Sequence, residues 1–93
     1  NFLSAHPDVK DVAVIGLPDK RLGEIAAAII EVQPSHTCTQ ESIDAFCMQL
    51  PRYKRPRRII FAPVPRNPTG KIEKPLLRKR YGGDMLVEAQ NLS

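Results

Sequence analysis

The fold is decided by residues 9–32, which read VKDVAVIGLPDKRLGEIAAAIIEV. The first apolar run, Val9–Ile15, is rich in β-branched residues, a pattern typical of a short buried strand. The segment Gly16–Asp19 has turn chemistry, and the loop is expected to continue to Glu24. The second run, Ile25–Val32, also allows a helix because it holds three alanines. Its short length and the breakers on either side favour a strand, paired antiparallel with the first across a connection of about eight residues.

A helix is predicted after this ribbon, beginning at Thr39, which is a favourable N-cap residue. Its apolar residues recur at helical spacing as Ile43, Phe46, Cys47 and Leu50. This stripe is expected to pack on the sheet, with Cys47 acting as a small buried hydrophobe. Pro51 is expected to end the helix.

The second half of the chain predicts a third strand, Ile59–Ala62, and a last short helix that opens at Lys74-Pro75. Gly82-Gly83 are expected to end that helix. The fold class is therefore α+β, with a small antiparallel or mixed sheet of about three strands and two to three helices. Residues 1–83 are expected to form the domain and residues 84–93 a tail.

Charge is strongly segregated along the chain. The sequence holds 14 Lys+Arg and 10 Asp+Glu for a net charge of +4, yet residues 52–81 alone carry eleven basic side chains and one acidic side chain. Such a block attracts anions, which include nucleic acid, anionic lipid and phosphorylated small molecules. Composition alone does not choose among these partners.

Several function classes receive no support from composition. The two cysteines, Cys38 and Cys47, form no C-x-x-C pattern, and His6 and His36 are isolated, so no metal site is predicted. Two cysteines without a secretory signal are expected to be reduced thiols, which suggests a cytoplasmic location. No apolar run approaches the length of a transmembrane segment. Because the sequence opens on Asn1 without a methionine, we expect it to be a cut through a longer protein.

The dipeptide Gly70-Lys71 is the sharpest candidate for chemistry. It is not a Walker loop, because position 65 is proline and position 72 is isoleucine. What remains is a lysine at the tip of a loop rich in proline and glycine, in which Gly70 permits a backbone angle that a side chain would block. A hairpin turn with a solvated lysine is the alternative interpretation.

The second candidate is Tyr53 with Arg55, Arg57 and Arg58. An aromatic ring beside guanidinium groups is able to stack a base and bind phosphates bidentately. If the backbone is extended here, Arg57 and Arg58 point to opposite sides, and at most one joins Arg55 at a ligand. A solvated basic face that leads into a strand is the alternative.

Four ordered blocks within positions 6–81 resemble the small C-terminal domain of the adenylate-forming enzymes. The blocks are residues 6–19, HPDVKDVAVIGLPD; 23–24, GE; 53–56, YKRP; and 65–72, PRNPTGKI. This superfamily includes acyl-CoA synthetases, peptide-synthetase adenylation domains and firefly-type luciferases, and the chain is most similar to an acyl-CoA synthetase or fatty-acid–CoA ligase. The resemblance implies an AMP-forming acid-thiol ligase, which makes an acyl-adenylate from a carboxylic acid and ATP and then transfers the acyl group to a thiol.

The resemblance also implies roles for residues. Lys71 matches the superfamily's catalytic lysine, which reaches the substrate carboxylate and the α-phosphate of ATP, with Gly70 beside it in the binding loop. In CoA ligases of the superfamily, the segment that matches Tyr53–Arg57 lies near the nucleotide end of CoA. The resemblance therefore implies that Arg55 and Arg57 contact phosphates and that Tyr53 neighbours the adenine.

The implied partner of this domain is a large N-terminal domain, which holds Mg²⁺, most of the ATP site and the acyl pocket. The resemblance also implies that the small domain is a lid with two working faces. The hinge and the glycine-rich loop after it are expected upstream of Asn1, so the fragment alone should be inactive.

Two other classes stay open. A carrier-loading adenylation domain is less favoured, because the basic segment from Tyr53 to Arg57 suits a phosphorylated soluble thiol. A free-standing module for anions or nucleic acid is less favoured because aromatic residues make up only 5% and no nucleic-acid-binding signature is present. No nucleic-acid partner is therefore predicted.

Overall fold

The computed structural model describes residues 1–82, and within them three strands form one mixed sheet. Strand β1 (Val9–Asp19) pairs antiparallel with β2 (Gly23–Val32), and β2 pairs parallel with β3 (Arg58–Phe61). Helix α1 (Gln40–Cys47) lies in the crossover that a parallel pair requires. Helix α2 comprises residues 74–82. The predicted α+β class, with about three strands and two helices, is confirmed.

Strand β1 is longer than the sequence predicts, and the predicted turn at Gly16–Asp19 is wrong. These four residues continue the strand and pair with β2 down to Asp19 opposite Gly23. The strand tolerates Pro18 because β1 is an edge strand, where a missing N–H need not break a ladder. The connection to β2 is only three residues long. It turns where the Asp19 carboxylate accepts the backbone N–H groups of Arg21 and Leu22 at 2.9 and 2.8 Å.

One face of the sheet is covered by α1. Thr39 caps the helix as predicted, because its hydroxyl accepts the Ser42 N–H at 3.1 Å. Cys47 is 3% exposed in this layer, as a small hydrophobe should be. The helix ends there, four residues before the predicted end at Pro51, because the N–H groups of Met48, Gln49 and Leu50 each bond to the carbonyl three residues earlier, a tighter turn than the α-helix. The buried residues of this layer are Leu3, Val9, Val12, Ala28, Ile30, Ile43 and Cys47.

The opposite face is covered by α2 and by the segment that precedes it. Its buried residues are Ala13, Ile15, Leu17, Ala27, Ile29, Val64 and Leu77. Because β1 and β2 are buried on both faces, their sequences are continuously apolar rather than alternating. Gly82, which we expected to end α2, is still helical; Gly83 and the predicted tail, residues 84–93, lie outside the described residues.

Residues 62–73, which we call the arm, connect β3 to α2 and are anchored to the sheet by acidic side chains. The Val64 N–H donates to Glu31 Oε1 at 2.8 Å. Arg66 forms a bidentate pair with Asp11, in which Nε lies 2.7 Å from Oδ2 and Nη2 lies 2.9 Å from Oδ1. Asp11 and Glu31 are direct partners in the β1–β2 register. One cross-strand pair of acids therefore holds the arm at two points.

Two carboxylates directly opposite each other on neighbouring strands repel. The arm supplies one compensating cation, Arg66, and β1 supplies the other, because Lys10 Nζ lies 3.2 Å from Glu31 Oε2. A register irregularity between Val9 and Asp11 accompanies this arrangement. Such a bulge re-aims side chains at the edge of a sheet.

Neither helix within residues 1–82 has the length and apolar character that crossing a bilayer demands.

Truncation of the core should be costly in this small domain. Ile29 of β2 is 0% exposed in the layer that α2 covers, so Ile29→Ala should lower the free energy of unfolding by about 2–5 kcal/mol. Met48→Ala is the matched control because Met48 is 66% exposed, and it should change that free energy by less than about 0.5 kcal/mol. Urea unfolding of the 93-residue chain measures both values. Equal effects of the two substitutions would contradict the layer assignment.

Acid should weaken the attachment of the arm. The hydrogen bonds from Arg66 hold the pKa of Asp11 below its usual value, with burial acting in the opposite direction. A carboxyl whose pKa falls on folding adds stability above its unfolded-state pKa, near 4, and loses it as the pH drops through the folded pKa. The unfolding free energies of the wild type and Asp11→Asn should therefore converge below about pH 4.

The matched control for the acid measurement is Asp44→Asn, which removes an exposed carboxylate from α1. Its free energy of unfolding should follow the wild-type curve between pH 2 and 6. A constant gap between the wild type and Asp11→Asn across that range would show that the ion pair does not contribute to stability.

Candidate functional site

Asn67 organises the loop that carries Lys71. Its Oδ1 accepts hydrogen bonds from the Thr69 N–H at 3.0 Å, the Thr69 hydroxyl at 2.7 Å and the Lys71 N–H at 3.0 Å. The backbone closes the same turn, because the Asn67 N–H donates to the Lys71 carbonyl and the Gly70 N–H donates to the Asn67 carbonyl, both at 2.9 Å. The loop is therefore a tight, internally bonded turn.

Gly70 has the backbone angle that this turn requires. Its φ is +89°, in the left-handed region where a side chain is strained. The Gly70 carbonyl accepts a hydrogen bond from Nη1 of Arg66. Below the turn, Arg66 and Ile72 form an antiparallel bridge, so the loop is a short hairpin with Lys71 beside its tip.

Lys71 is exposed and makes no ion pair with any residue in 1–82. It borders a shallow depression of about 490 Å³. The other lining residues are Asn67, Ile72, Glu73, Pro75 and Leu76. An unpaired ammonium on a braced hairpin is available to bind an anion presented by another body.

The residues that brace Lys71 were not predicted from the sequence. Asn67 carried a local signal, because asparagine side chains commonly bond to the backbone two residues later in turns. Asp11 and Arg66 carried none, since they are 55 positions apart and come together only through the fold.

The second candidate cluster forms a cleft at the beginning of β2. The cleft encloses about 530 Å³. It is lined by Glu24, Ile25, Ala26, Arg52, Tyr53, Arg55 and Arg57. The structure therefore brings together the predicted residues Tyr53, Arg55 and Arg57. Arg58, the next residue, is not among those that line the cleft.

The side chains that line this cleft differ in how far contacts within the domain already hold them. Tyr53 lies in a short 3-10 helix, Arg52–Lys54, and is 82% exposed. Lys54 Nζ lies 5.9 Å from the centre of its ring. Arg55 is committed to the fold: Nε donates to the Leu50 carbonyl at 2.9 Å and Nη2 to the Met48 carbonyl at 3.4 Å. It thus satisfies carbonyls at the end of α1, a role typical of cations at that position.

Arg57 is fixed through its backbone and exposed through its side chain. Its N–H donates to the Ala26 carbonyl at 2.8 Å, directly before β3 begins. Arg57 is exposed and also lines two smaller depressions beside the main cleft. Of the three predicted residues, Arg57 and Tyr53 are therefore the ones most available to a ligand.

The two candidate sites lie at opposite ends of the sheet. The cleft is attached to β2 near Ala26, and the arm is attached to β2 at Glu31. Five residues of strand at about 3.3 Å each separate these points by about 17 Å. The segments that carry Lys71 and Arg57 are therefore attached at separate points of β2.

Potential metal ligands within residues 1–82 come together at His6, Asp8 and Cys38, whose ligand atoms lie within 4.8 Å of one another. Both His6 nitrogens are already engaged, because Nδ1 accepts the Asp8 N–H at 3.1 Å and Nε2 lies 3.0 Å from the Ser42 hydroxyl. Burial and the nearby Asp8 carboxylate raise the pKa of Cys38, which disfavours the thiolate that binds metals. This geometry suits packing better than ion binding.

The known proteins that resemble this chain in sequence include ligases of fatty acids. The chain is 50% identical over 76 residues to the long-chain-fatty-acid–CoA ligase FadD13 of Mycobacterium tuberculosis (strain H37Rv). This alignment covers 81% of this chain and 15% of that protein. It is 40% identical over 86 residues to the fatty acid–[acyl-carrier-protein] ligase ScoC of Streptomyces coeruleorubidus, in an alignment that covers 90% of this chain and 17% of that protein. The chain thus spans only about 15% of the length of such relatives.

The fold points the same way. The chain superimposes on a solved Mycobacterium tuberculosis fatty acyl CoA synthetase with a TM-score of 0.75 and 45% identity, over 89% of this chain and 16% of that chain. The profile of one family, the AMP-binding enzyme C-terminal domain, matches residues 1–71, which include β1–β3, α1 and the Lys71 hairpin. This chain therefore belongs to the AMP-binding enzyme C-terminal domain family.

Proposed function

We propose that this chain is the mobile C-terminal domain of an AMP-forming acyl-CoA synthetase. The enzyme would join a carboxylic acid to ATP as an acyl-adenylate, release pyrophosphate, and then transfer the acyl group to the thiol of CoA. The observation that carries the proposal is the exposed, unpaired Lys71 on its braced hairpin, in a domain that is 50% identical to part of a fatty-acid–CoA ligase.

Lys71 would act in the first half-reaction. The substrate carboxylate must approach the α-phosphate of ATP although both are anionic. An ammonium held between them offsets their repulsion and fixes their approach, with little reorganisation at the moment of reaction. The turn around Asn67 supports this role because it holds the Lys71 backbone at the tip rather than leaving it in an open loop.

The basic cleft would act in the second half-reaction, as the contact for the nucleotide of CoA. Tyr53 offers a face for adenine, and Arg57 offers a guanidinium for phosphate. Arg55 would contribute its remaining N–H groups while it closes the end of α1. Gly70 would serve the first site only, by giving the hairpin its shape.

The separation of the two ends supports a moving domain. Lys71 and Arg57 are anchored about 17 Å apart along β2, so one rigid placement does not bring both to the same reacting carbonyl. A rotation of the domain between the half-reactions would present each end in turn. The partner would be a large N-terminal domain, which we expect to hold Mg²⁺, most of the ATP site and the acyl pocket, in the cytoplasm.

A carrier-loading enzyme is the second candidate, and the similarity to ScoC favours it. In that case the cleft would meet the phosphopantetheine-bearing surface of an acidic carrier protein. The chemistry at Lys71 would be unchanged, so only the thiol acceptor separates the two candidates.

Removing the Lys71 ammonium should stop the first half-reaction selectively. In the complete enzyme that carries this domain, Lys71→Ala should lower acid-dependent ATP–pyrophosphate exchange by about 10²–10³. Thioester formation from a supplied acyl-adenylate should stay within about twofold. Lys79→Ala removes an exposed lysine from α2 and should leave both rates unchanged. Equal loss of both half-reactions would contradict the role given to Lys71.

Removing the Arg57 guanidinium should weaken the thiol acceptor. A hydrogen bond to a charged group contributes about 1.5–3 kcal/mol, so Arg57→Ala should raise the KM for CoA by about 10–100-fold with pyrophosphate exchange intact. Arg78→Ala, on the exposed side of α2, is the control. An unchanged KM for CoA combined with a raised KM for a carrier protein would select the second candidate.

A further inference from the structure

Arg66 is the one residue of the hairpin that joins its tip to the sheet through a charged fork. Nε and Nη2 bind the two oxygens of Asp11 at 2.7 and 2.9 Å, and Nη1 binds the carbonyl of Gly70, the residue before Lys71. A bidentate guanidinium–carboxylate pair fixes orientation as well as distance. The guanidinium of Arg66 therefore fixes the position of the hairpin tip relative to β1.

Asp11 is a firm base for this connection. It lies inside β1 opposite Glu31, and its Oδ1 also accepts the Val12 N–H at 2.9 Å. Its side chain is 22% exposed, whereas that of Arg66 is 45% exposed. The carboxylate is thus held by its own strand before the arm reaches it.

The hydrogen bonds of Asn67 and those of Arg66 do different things. The Asn67 bonds are internal to the hairpin, so they determine its shape and would survive if the hairpin swung as a unit. The Asp11–Arg66 pair links the hairpin to another element, so it determines where the tip lies relative to the sheet.

An acid at position 11 is unfavourable for the sheet by itself and becomes favourable through its ion pair with Arg66. Asp11 stands directly across from Glu31, and like charges in that arrangement destabilise a sheet. A neutral residue at position 11 would remove this repulsion, but it would also remove the anchor of Arg66.

We propose that Asp11 and Arg66 are positioning residues that place the Lys71 ammonium for the adenylation step. This inference rests on the proposed function of Lys71 and goes beyond it, because neither residue need touch a substrate. A displacement of about 1 Å in a reacting group can lower a rate by about 10²-fold. The pair therefore acts on the rate of the first half-reaction and not on the second, which uses the opposite end of the sheet.

The test uses the complete enzyme with Asp11→Asn and Arg66→Lys, each of which alters the fork with little change in side-chain size. The lysine variant keeps the charge but loses the planar fork. Both should lower the kcat of pyrophosphate exchange by about 10-fold or more, with KM for ATP and thioester formation from supplied acyl-adenylate within about twofold. Asp44→Asn and Arg78→Lys are matched controls on exposed helix positions and should leave both half-reactions unchanged.

A double-mutant cycle with Lys71→Ala identifies the route of the effect. If the pair acts through Lys71, Asp11→Asn should lower the exchange rate in the wild-type background and have almost no further effect once Lys71 is absent. Full additivity of the two losses would overturn the inference. A parallel loss of both half-reactions would also overturn it, because that pattern belongs to a purely structural pair. A lower Tm by itself is expected, since the pair also stabilises the arm.

The same cycle separates failure of the inference from failure of the proposed function. If Lys71→Ala lowers exchange and Asp11→Asn does not, Lys71 acts without this pair and only the inference is wrong. If Lys71→Ala itself leaves exchange unchanged, the proposed function is wrong and the inference falls with it.

Discussion

The antiparallel register of β1 and β2 is the constraint on which the rest of this domain depends. It sets Asp11 opposite Glu31 at one end of the sheet and Pro18 opposite Glu24 at the other. A slip of one residue would move each side chain of the slipped strand from one layer of the core to the other. It would also separate the two acids that hold the arm, so the apolar core and the placement of Lys71 share one origin.

The arm shows how a small domain presents a long cationic side chain without burying it. Val64 and Ile72 pack against the sheet, Glu31 holds the backbone at Val64, and Arg66 ties the hairpin to Asp11. These contacts, together with the hydrogen bonds of Asn67 inside the turn, offset the conformational entropy lost when the loop is ordered. The Lys71 side chain therefore need not be buried to hold the loop in place. The charges that hold the arm are themselves paired, which leaves Lys71 without an ion pair among residues 1–82.

At the other end of the sheet, basic residues that are adjacent in sequence have different tasks. Arg55 turns back to the carbonyls of Met48 and Leu50, whereas Arg57 faces the cleft. A run of positive charge is thus partly a structural device and partly an exposed surface. Arg55→Ala would disturb the end of α1 as well as the cleft, which is why Arg57 is the cleaner probe of binding.

Local pattern was enough to determine the α+β class, the cap at Thr39, the buried Cys47 and the exposed hairpin lysine, since each depends on residues within a few positions of one another. The true turn after β1 was misplaced because Gly16 and Pro18 usually signal turns, while only the sheet reveals that β1 lies at an edge. The end of α1 was misplaced because the backbone tightens after Cys47, where successive N–H groups bond to carbonyls three residues back, well before Pro51. The tertiary structure alone decided that Asp11 meets Arg66 across 55 positions and that Lys71 and Arg57 stand at opposite ends. Such pairings follow from strand register and packing, which no local stretch of sequence encodes.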